Sequence, residues 1–276
     1  LSDRKLRCHH CGWEENIPKL CPDCGNVDIK PLGEGTQRVE AALARLFPEA
    51  NIQRIDRDST SRRGAWEKCY EQIQTGQIDI LVGTQMLAKG HDFASLSLVV
   101  IVNADSGLYA VDYRASEWLF SQLIQVAGRA GRAGVPGLVL VQTRWPDHPL
   151  YRALVAHDVE GYAATLLTER RQAGFPPATY QAIVRADAPK LEQALNFLNG
   201  IRAQLQSLCS SVLLSGPAPC LMSRVANRER ALLVLESAQR LALHRCLDRL
   251  IGIAPQLVRE VRGRVRWYVD VDPQEY

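Results

Sequence analysis

Apolar positions along the chain change period several times, and each change marks an element. Gly33-Glu-Gly-Thr36 introduces a helical spacing carried by Val39, Leu43 and Leu46, with Thr36 as the expected N-cap. A strand is predicted near 52–56. A helix follows near 64–75, with Trp66, Cys69, Tyr70 and Ile73 on one face. The short apolar runs 78–82 and 96–102 have the look of buried parallel strands. Leu119, Leu123, Ile124 and Val126 give the next helix its apolar side, and it is expected to run to Arg132, ahead of a strand at 138–142. This alternation predicts a three-layer α/β lobe over 33–146.

Two helical stretches over 147–177 lead to Gly174-Phe-Pro-Pro-Ala178, the strongest boundary signal in the chain. Beyond it the pattern reads strand 180–186, helix 190–208, strand 212–215, strand 231–236, helix 238–250 and strand 265–271. That β-α-β-β-α-β order predicts a ferredoxin-like α+β domain over 178–276. No internal repeat or low-complexity tract interrupts it.

The 276 residues are 46% hydrophobic and 23% charged, ordinary for a protein with a sizeable core. There is no apolar run of membrane-spanning length and no secretory leader, and the sequence opens at Leu1 without an initiator methionine. A cytosolic fragment of a larger protein is the expectation. The net charge of +3 identifies no partner by itself. Arginines nevertheless cluster around 54–63, 129–132, 224–230 and 259–266, a distribution that favours a nucleic-acid ligand over a merely solvated surface.

Four of the eight cysteines fall in two pairs, Cys8-x-x-Cys11 and Cys21-x-x-Cys24, each followed by glycine. Four thiolates at this spacing can close a tetrahedral zinc site, and residues 1–32 are too few to bury a core without one. His9 and His10 are then superfluous as ligands. Cys69, Cys209, Cys220 and Cys246 lie singly in apolar patterns and read as small core residues.

Candidate chemistry concentrates in two stretches. The run 78–82 leads into Gly83-Thr-Gln-Met-Leu-Ala-Lys-Gly-His-Asp92, whose Thr84, Gln85, Lys89 and Asp92 offer polar tips where open α/β sheets bind ligands. Adjacent His91 and Asp92 do not converge with any evident third group, so neither a metal pair nor a catalytic dyad is read there. Gln125, Gly128, Arg129 and Arg132 fall on a Gln-x-x-Gly-Arg-x-x-Arg spacing. Each glycine costs a helix about 1 kcal/mol against alanine, so stability does not explain Gly-Arg-Ala-Gly-Arg. A planar, permanently charged guanidinium on a rigid element suits a phosphoryl group whose charge spreads in the transition state. Asp105, Asp112 and Glu117 lie nearby, either to orient those arginines or to solvate a loop.

These two stretches resemble motifs V and VI of superfamily 2 helicases. With Asp112-Tyr-Arg-Ala-Ser-Glu117 between them and Arg266-Trp-Tyr-Val-Asp-Val-Asp-Pro273 at the end, the whole chain resembles the C-terminal part of the primosomal replication-restart helicases. The resemblance implies a RecA-like second helicase lobe, an S10-like C-terminal domain and a 3′→5′ DNA helicase. Such an enzyme recognises stalled or branched forks and starts primosome assembly in the bacterial cytoplasm, at the nucleoid. It implies ATP with Mg²⁺ between two lobes, the first of which, with its phosphate loop and acidic motif, has no counterpart here; this chain alone should not hydrolyse ATP. Arg129 and Arg132 would reach the γ-phosphate, and Gln125, Gly90, Asp92 and Gly128 would face the nucleotide. Thr84 and Lys89 would meet DNA.

The resemblance also implies two interleaved zinc ions, Cys8 and Cys11 on one and Cys21 and Cys24 on the other, each completed by cysteines absent from this chain. One shared zinc and parts of two sites both stay open. Arg224, Arg228 and Arg230 would form a basic DNA-binding hairpin, with Glu229 and Ala231 where relatives place stacking aromatics. Arg240 would meet single-strand-binding protein. Implied partners are single-stranded and forked DNA, single-strand-binding protein, other primosome proteins and the loading machinery of the replicative helicase, with no membrane. The competing function is a non-catalytic fork-docking module with vestigial ATPase motifs.

Overall fold

A computed structural model of the chain describes residues 5–7, 14–18, 20, 35–55, 65–84, 93, 95–110, 112–131, 136–261 and 264–274. The chain divides into two compact units, one comprising residues 28–163 and the other residues 1–27 with 164–276.

Within residues 1–27, β1 (Lys5–Arg7) and β2 (Glu14–Asn16) pair antiparallel, Leu6 opposite Glu15. In the unit 28–163, α1 (Thr36–Leu46) starts one residue earlier than the sequence suggests. Gly35 is its cap: the amides of Arg38 and Val39 close on the Gly35 carbonyl at 2.9 and 3.2 Å, so Thr36 is already helical and cannot cap. Strand β3 (Ile52–Ile55) pairs parallel with β4 (Ile80–Gly83), and α2 (Ala65–Gln74) connects them. Strand β5 (Leu98–Ile101) pairs parallel with β6 (Leu138–Val141), with α3 (Ala115–Ala127) between them. Helix α4 (Pro149–Ala156) follows, and α5 (Val159–Ala173) begins in this unit and continues into the other.

The described strands of this unit form two parallel pairs, β3 with β4 and β5 with β6. One expectation needs correction here: the run 96–102 is not buried throughout. Leu98 and Val100 are about half exposed, as are Leu138 and Leu140 of β6, because only alternate residues of β5 and β6 turn inward.

The unit ending at residue 276 has a closed core. Its sheet comprises β7 (Tyr180–Ala188), β8 (Leu213–Val225), β9 (Arg228–Ser237) and β10 (Arg266–Val271), in the order β10-β7-β9-β8 with every neighbour antiparallel. Helices α6 (Leu191–Leu208) and α7 (Arg240–Glu260) complete a split β-α-β arrangement. Ala182, Val184 and Ala186 of β7 pack against Phe197, Ile201 and Leu205 of α6 and against Leu243, Leu250 and Leu257 of α7. Gly200 lets the helices approach, since a Cβ there would meet Leu257 Cδ2 at 3.0 Å. Trp267 packs on the same core, 6.2 Å from the Phe197 ring.

Strands β8 and β9 are both longer than the hydrophobic pattern suggests. Gly216-Pro217, Pro219 and Ser223-Arg224 break the alternation in β8, and the strand continues through register shifts at Ser215/Ala218 and Pro219/Arg224. Ala226 and Asn227, both with positive φ, make the two-residue turn into β9. Helix α7 likewise continues through Pro255, because Ala254 and Leu257 extend its buried stripe.

Candidate nucleotide and nucleic-acid site

The Gln-x-x-Gly-Arg segment sits on a defined helix end. Leu119, Phe120 and Leu123 bury one face of α3, and Gln125 and Gly128 lie on the exposed side. The helix does not reach Arg132. It stops at Ala127 with Gly128 as C-cap, and successive amides close on carbonyls behind them: Gly128 on Ile124 at 2.9 Å, Arg129 on Val126 at 3.0 Å and Ala130 on Ala127 at 3.2 Å. Gly131, at φ +77, then turns the chain so that its amide reaches the Leu96 carbonyl at 3.1 Å. Only glycine takes that conformation without strain.

Gly137 supports this turn from the other side. A Cβ there would press on Gly131 Cα at 2.7 Å, so the two backbones touch with no room for a side chain. The next residue, Leu138, donates to the Ser97 carbonyl at 2.8 Å. Half-buried Arg129 is thus fixed where α3 meets the amino ends of β5 and β6. Nothing in the hydrophobic pattern singles out Gly137; the hint is the Pro136-Gly137 turn signal directly before a strand.

The start of α3 is also held. Arg114, 8% exposed, precedes the first turn with its guanidinium 4.3 Å from the Tyr113 ring centre. Asp112 accepts from the Arg114 amide at 2.8 Å and lies 4.0 Å from the guanidinium Nη1. Asp112 therefore serves Arg114 rather than the arginines at the other end of the helix.

Asp105 plays a third role. It lies in a 3₁₀ turn, Ala104–Gly107, just past β5. Its carboxylate accepts from Thr143 Oγ1 at 2.5 Å, from the Arg144 amide at 2.7 Å and from the Tyr151 hydroxyl at 3.0 Å. Burial alone would raise this carboxyl; the Arg144 amide, the two hydroxyls and the Arg144 charge outweigh it and hold Asp105 below the usual carboxylate range. Tyr151 is pushed up to about 12, by burial first and then by its hydrogen bond to Asp105 and the Asp105 charge. The node ties the loop after β5 to the carboxyl end of β6 and to α4. It neither orients an arginine of the motif nor merely solvates a loop.

Thr84 is exposed immediately after the carboxyl end of β4. Lys89, Gly90, Asp92 and Arg132 lie outside the described residues, as do Cys8, Cys11, Cys21 and Cys24. Among the described residues no group of three or more His, Cys, Asp or Glu could hold a metal ion, and no helix is long and apolar enough to cross a membrane.

The arginines of the β8–β9 hairpin differ in how far they are engaged. Arg228 is bound inward: its guanidinium donates to the Asp187 carboxylate, to the Asp187 carbonyl at 2.7 Å and to the Arg264 carbonyl. Arg224 is exposed and lies 3.7 Å from Glu229 across the hairpin. Arg230 stands opposite Asp187 in the β7–β9 register. The free positive charge at the hairpin is therefore smaller than the three arginines suggest. Arg240 is exposed in the first turn of α7, where the helix dipole disfavours a cation.

Comparison with known proteins matches the helicase conserved C-terminal domain to residues 34–134 and the primosomal protein N C-terminal domain to residues 171–274. The replication restart protein PriA of Haemophilus influenzae is 44% identical over 271 residues, which cover 98% of this chain and 37% of that protein. PriA of Bacillus subtilis is 37% identical, covering 90% of this chain and 31% of its own length, and PriA of Synechocystis is 37% identical over 97% and 31%. The chain thus spans about a third of the length of these relatives.

Proposed function

The chain belongs to the PriA family of replication restart proteins, and from that premise we propose that it forms the C-terminal part of an ATP-dependent 3′→5′ DNA helicase. That enzyme acts at stalled or branched bacterial replication forks and initiates primosome assembly. The observation that carries the proposal is the backbone fixation of Arg129. Amide bonds within the helix end and the Gly131–Gly137 contact hold it in place, a rigidity useful for a charge that must meet a phosphoryl group at one position.

In this reading the lobe 34–134 is the second, RecA-like helicase lobe and completes an ATP site whose phosphate loop and Mg²⁺-binding acidic residues lie elsewhere in the full-length protein. Arg129 and Arg132 neutralise charge on the γ-phosphate, and Gln125, Gly90, Asp92 and Gly128 face the nucleotide. Thr84 and Lys89 contact the single strand. Bound Mg·ATP supplies the phosphoryl group whose transfer drives translocation, and the residues of this chain position it and stabilise its charge. The chain on its own is inactive.

Zinc on Cys8, Cys11, Cys21 and Cys24 belongs to the same reading. It rests on their spacing and on the paired strands β1 and β2, which bring together the two ends of the stretch holding Cys8 and Cys11. The C-terminal domain, S10-like in this reading, binds DNA through Arg224 and Arg230, with Arg228 shaping the hairpin, and Arg240 meets single-strand-binding protein. Primosome proteins and the loading machinery of the replicative helicase complete the set of partners.

The decisive experiment is ATP hydrolysis by the full-length protein, wild type against Arg129→Ala and Arg132→Ala, with and without forked DNA. Loss of an arginine that neutralises the γ-phosphate should cost roughly 10³–10⁵ in rate. DNA-stimulated hydrolysis within tenfold of wild type in both variants would overturn the assignment and favour a fork-docking module.

A further inference from the structure

The described residues include four free, buried cysteines: Cys69, Cys209, Cys220 and Cys246. Two of them meet. Cys209 caps the carboxyl end of α6, with its amide on the Leu205 carbonyl at 2.8 Å, and Cys246 lies fully buried in the second turn of α7. Both belong to the core between helices and sheet. They also line a cavity of about 240 Å³ with Ser210, Gln239, Arg245 and Arg249. Arg249 donates to the Leu208 carbonyl, and its Nη1 lies 3.8 Å from Cys209 Sγ. Two thiols lining one cavity, with a cation beside one sulfur, are more than core packing requires.

We propose that Cys209 and Cys246 are a reversible disulfide-forming pair, closed by a low-molecular-weight disulfide and reopened by thiols, which ties the end of α6 to α7. The thiolate is the nucleophile in such exchange, and Arg249 places positive charge beside the sulfur that must carry negative charge when it attacks. Cys209 sulfur attacks one sulfur of oxidised glutathione, whose S–S bond breaks. One glutathione leaves as thiolate and takes up the proton Cys209 has shed. Cys246 sulfur then attacks Cys209 sulfur and releases the second glutathione, which takes the Cys246 proton. Two protein thiols are oxidised and one glutathione disulfide is reduced to two thiols. Burial, and after it Cys209, push the Cys246 thiol up to about 12, so exchange at Cys246 quickens as pH rises.

The test is incubation of the whole chain with oxidised glutathione, alkylation of remaining thiols and peptide mapping. A cross-linked peptide joining Cys209 to Cys246 is expected, removed by dithiothreitol, formed faster at higher pH and accompanied by an upward shift in melting temperature. Cys246→Ser should stop the reaction at a glutathione adduct on Cys209. The wild-type map needs no variant to fold. Recovery of Cys209 and Cys246 unlinked, or linked mainly to other cysteines, would overturn the proposal.

Discussion

On β7, an inner strand of the C-terminal unit, every residue from Gln181 to Ala186 is buried; on β5 and β6 of the helicase lobe, Leu98, Val100, Leu138 and Leu140 stand 47%, 55%, 55% and 48% exposed. Parallel strands are ordinarily covered on both faces, so the lobe draws less order from burial than a sheet of its kind usually does. It draws more from point fixations: the Gly131–Gly137 contact, the Asp105 node and the cation over Tyr113. In the C-terminal unit damage should therefore appear as lost stability. In the lobe it should appear first as lost site geometry.

The largest effect should come from the closed core. Phe197 is fully buried between helix and sheet, and Phe197→Ala should cost about 3–5 kcal/mol through lost burial and a cavity its neighbours cannot fill. Urea unfolding followed by hydrogen exchange at β7 and β9 amides measures it. A loss below about 1 kcal/mol would mean that this core is no more closed than the lobe.

Gly137→Ala breaks the comparison from the other side. The added methyl must displace the Gly131 backbone, at about 1–3 kcal/mol of stability. The activity loss should be disproportionate, because Arg129 moves with the turn: DNA-stimulated ATPase of the full-length protein should fall at least about tenfold, since small misplacements of positioning groups are costly. Unchanged activity would show that Arg129 does not depend on this contact.

These two substitutions mark what the sequence could reveal. The C-terminal fold was legible because its strands and helices switch period cleanly and Gly174-Phe-Pro-Pro-Ala178 sets them apart; the β-α-β-β-α-β order stands, and the family resemblance is borne out by relatives covering almost the whole chain. The contacts that fix the site were not legible. Gly131 and Gly137, or Asp105 with Thr143 and Tyr151, are neighbours only through folding, and no periodicity encodes a pairing 38 or 46 residues apart. Arg228 illustrates the same limit: a cluster of arginines reads as a charged surface until Asp187 and the Arg264 carbonyl claim one of them.

Asp105→Asn is intermediate. It keeps the shape but turns charge-assisted bonds into neutral ones and points an amide donor at other donors, for a cost of about 1–2 kcal/mol. The pH dependence has a definite sign. The Asp105 carboxyl is held low in the folded protein, so its contribution is complete above the unfolded carboxylate range and is lost as pH falls through the lower folded value. Wild type and variant should converge in thermal stability under acid conditions and diverge at neutral pH. A constant gap across that range would remove Asp105 as the charged anchor of the node.

The smallest stability effect, and the one that best separates structural charge from ligand charge, is at the hairpin. Arg224 is 62% exposed and pairs with Glu229 at 3.7 Å, so Arg224→Ala should change stability by less than about 1 kcal/mol. If Arg224 meets phosphate, that variant should weaken DNA binding by the full-length protein and reduce the slope of log affinity against log salt by about 0.7–0.9, one counterion's worth. Arg228→Ala should do the reverse. Its guanidinium links β7, β9 and the segment leading into β10, so its removal lowers the melting temperature while leaving the salt slope unchanged. Equal slope changes in both variants would show that Arg228 leaves Asp187 when DNA binds, and that the hairpin offers more charge to a ligand than it does in the free chain.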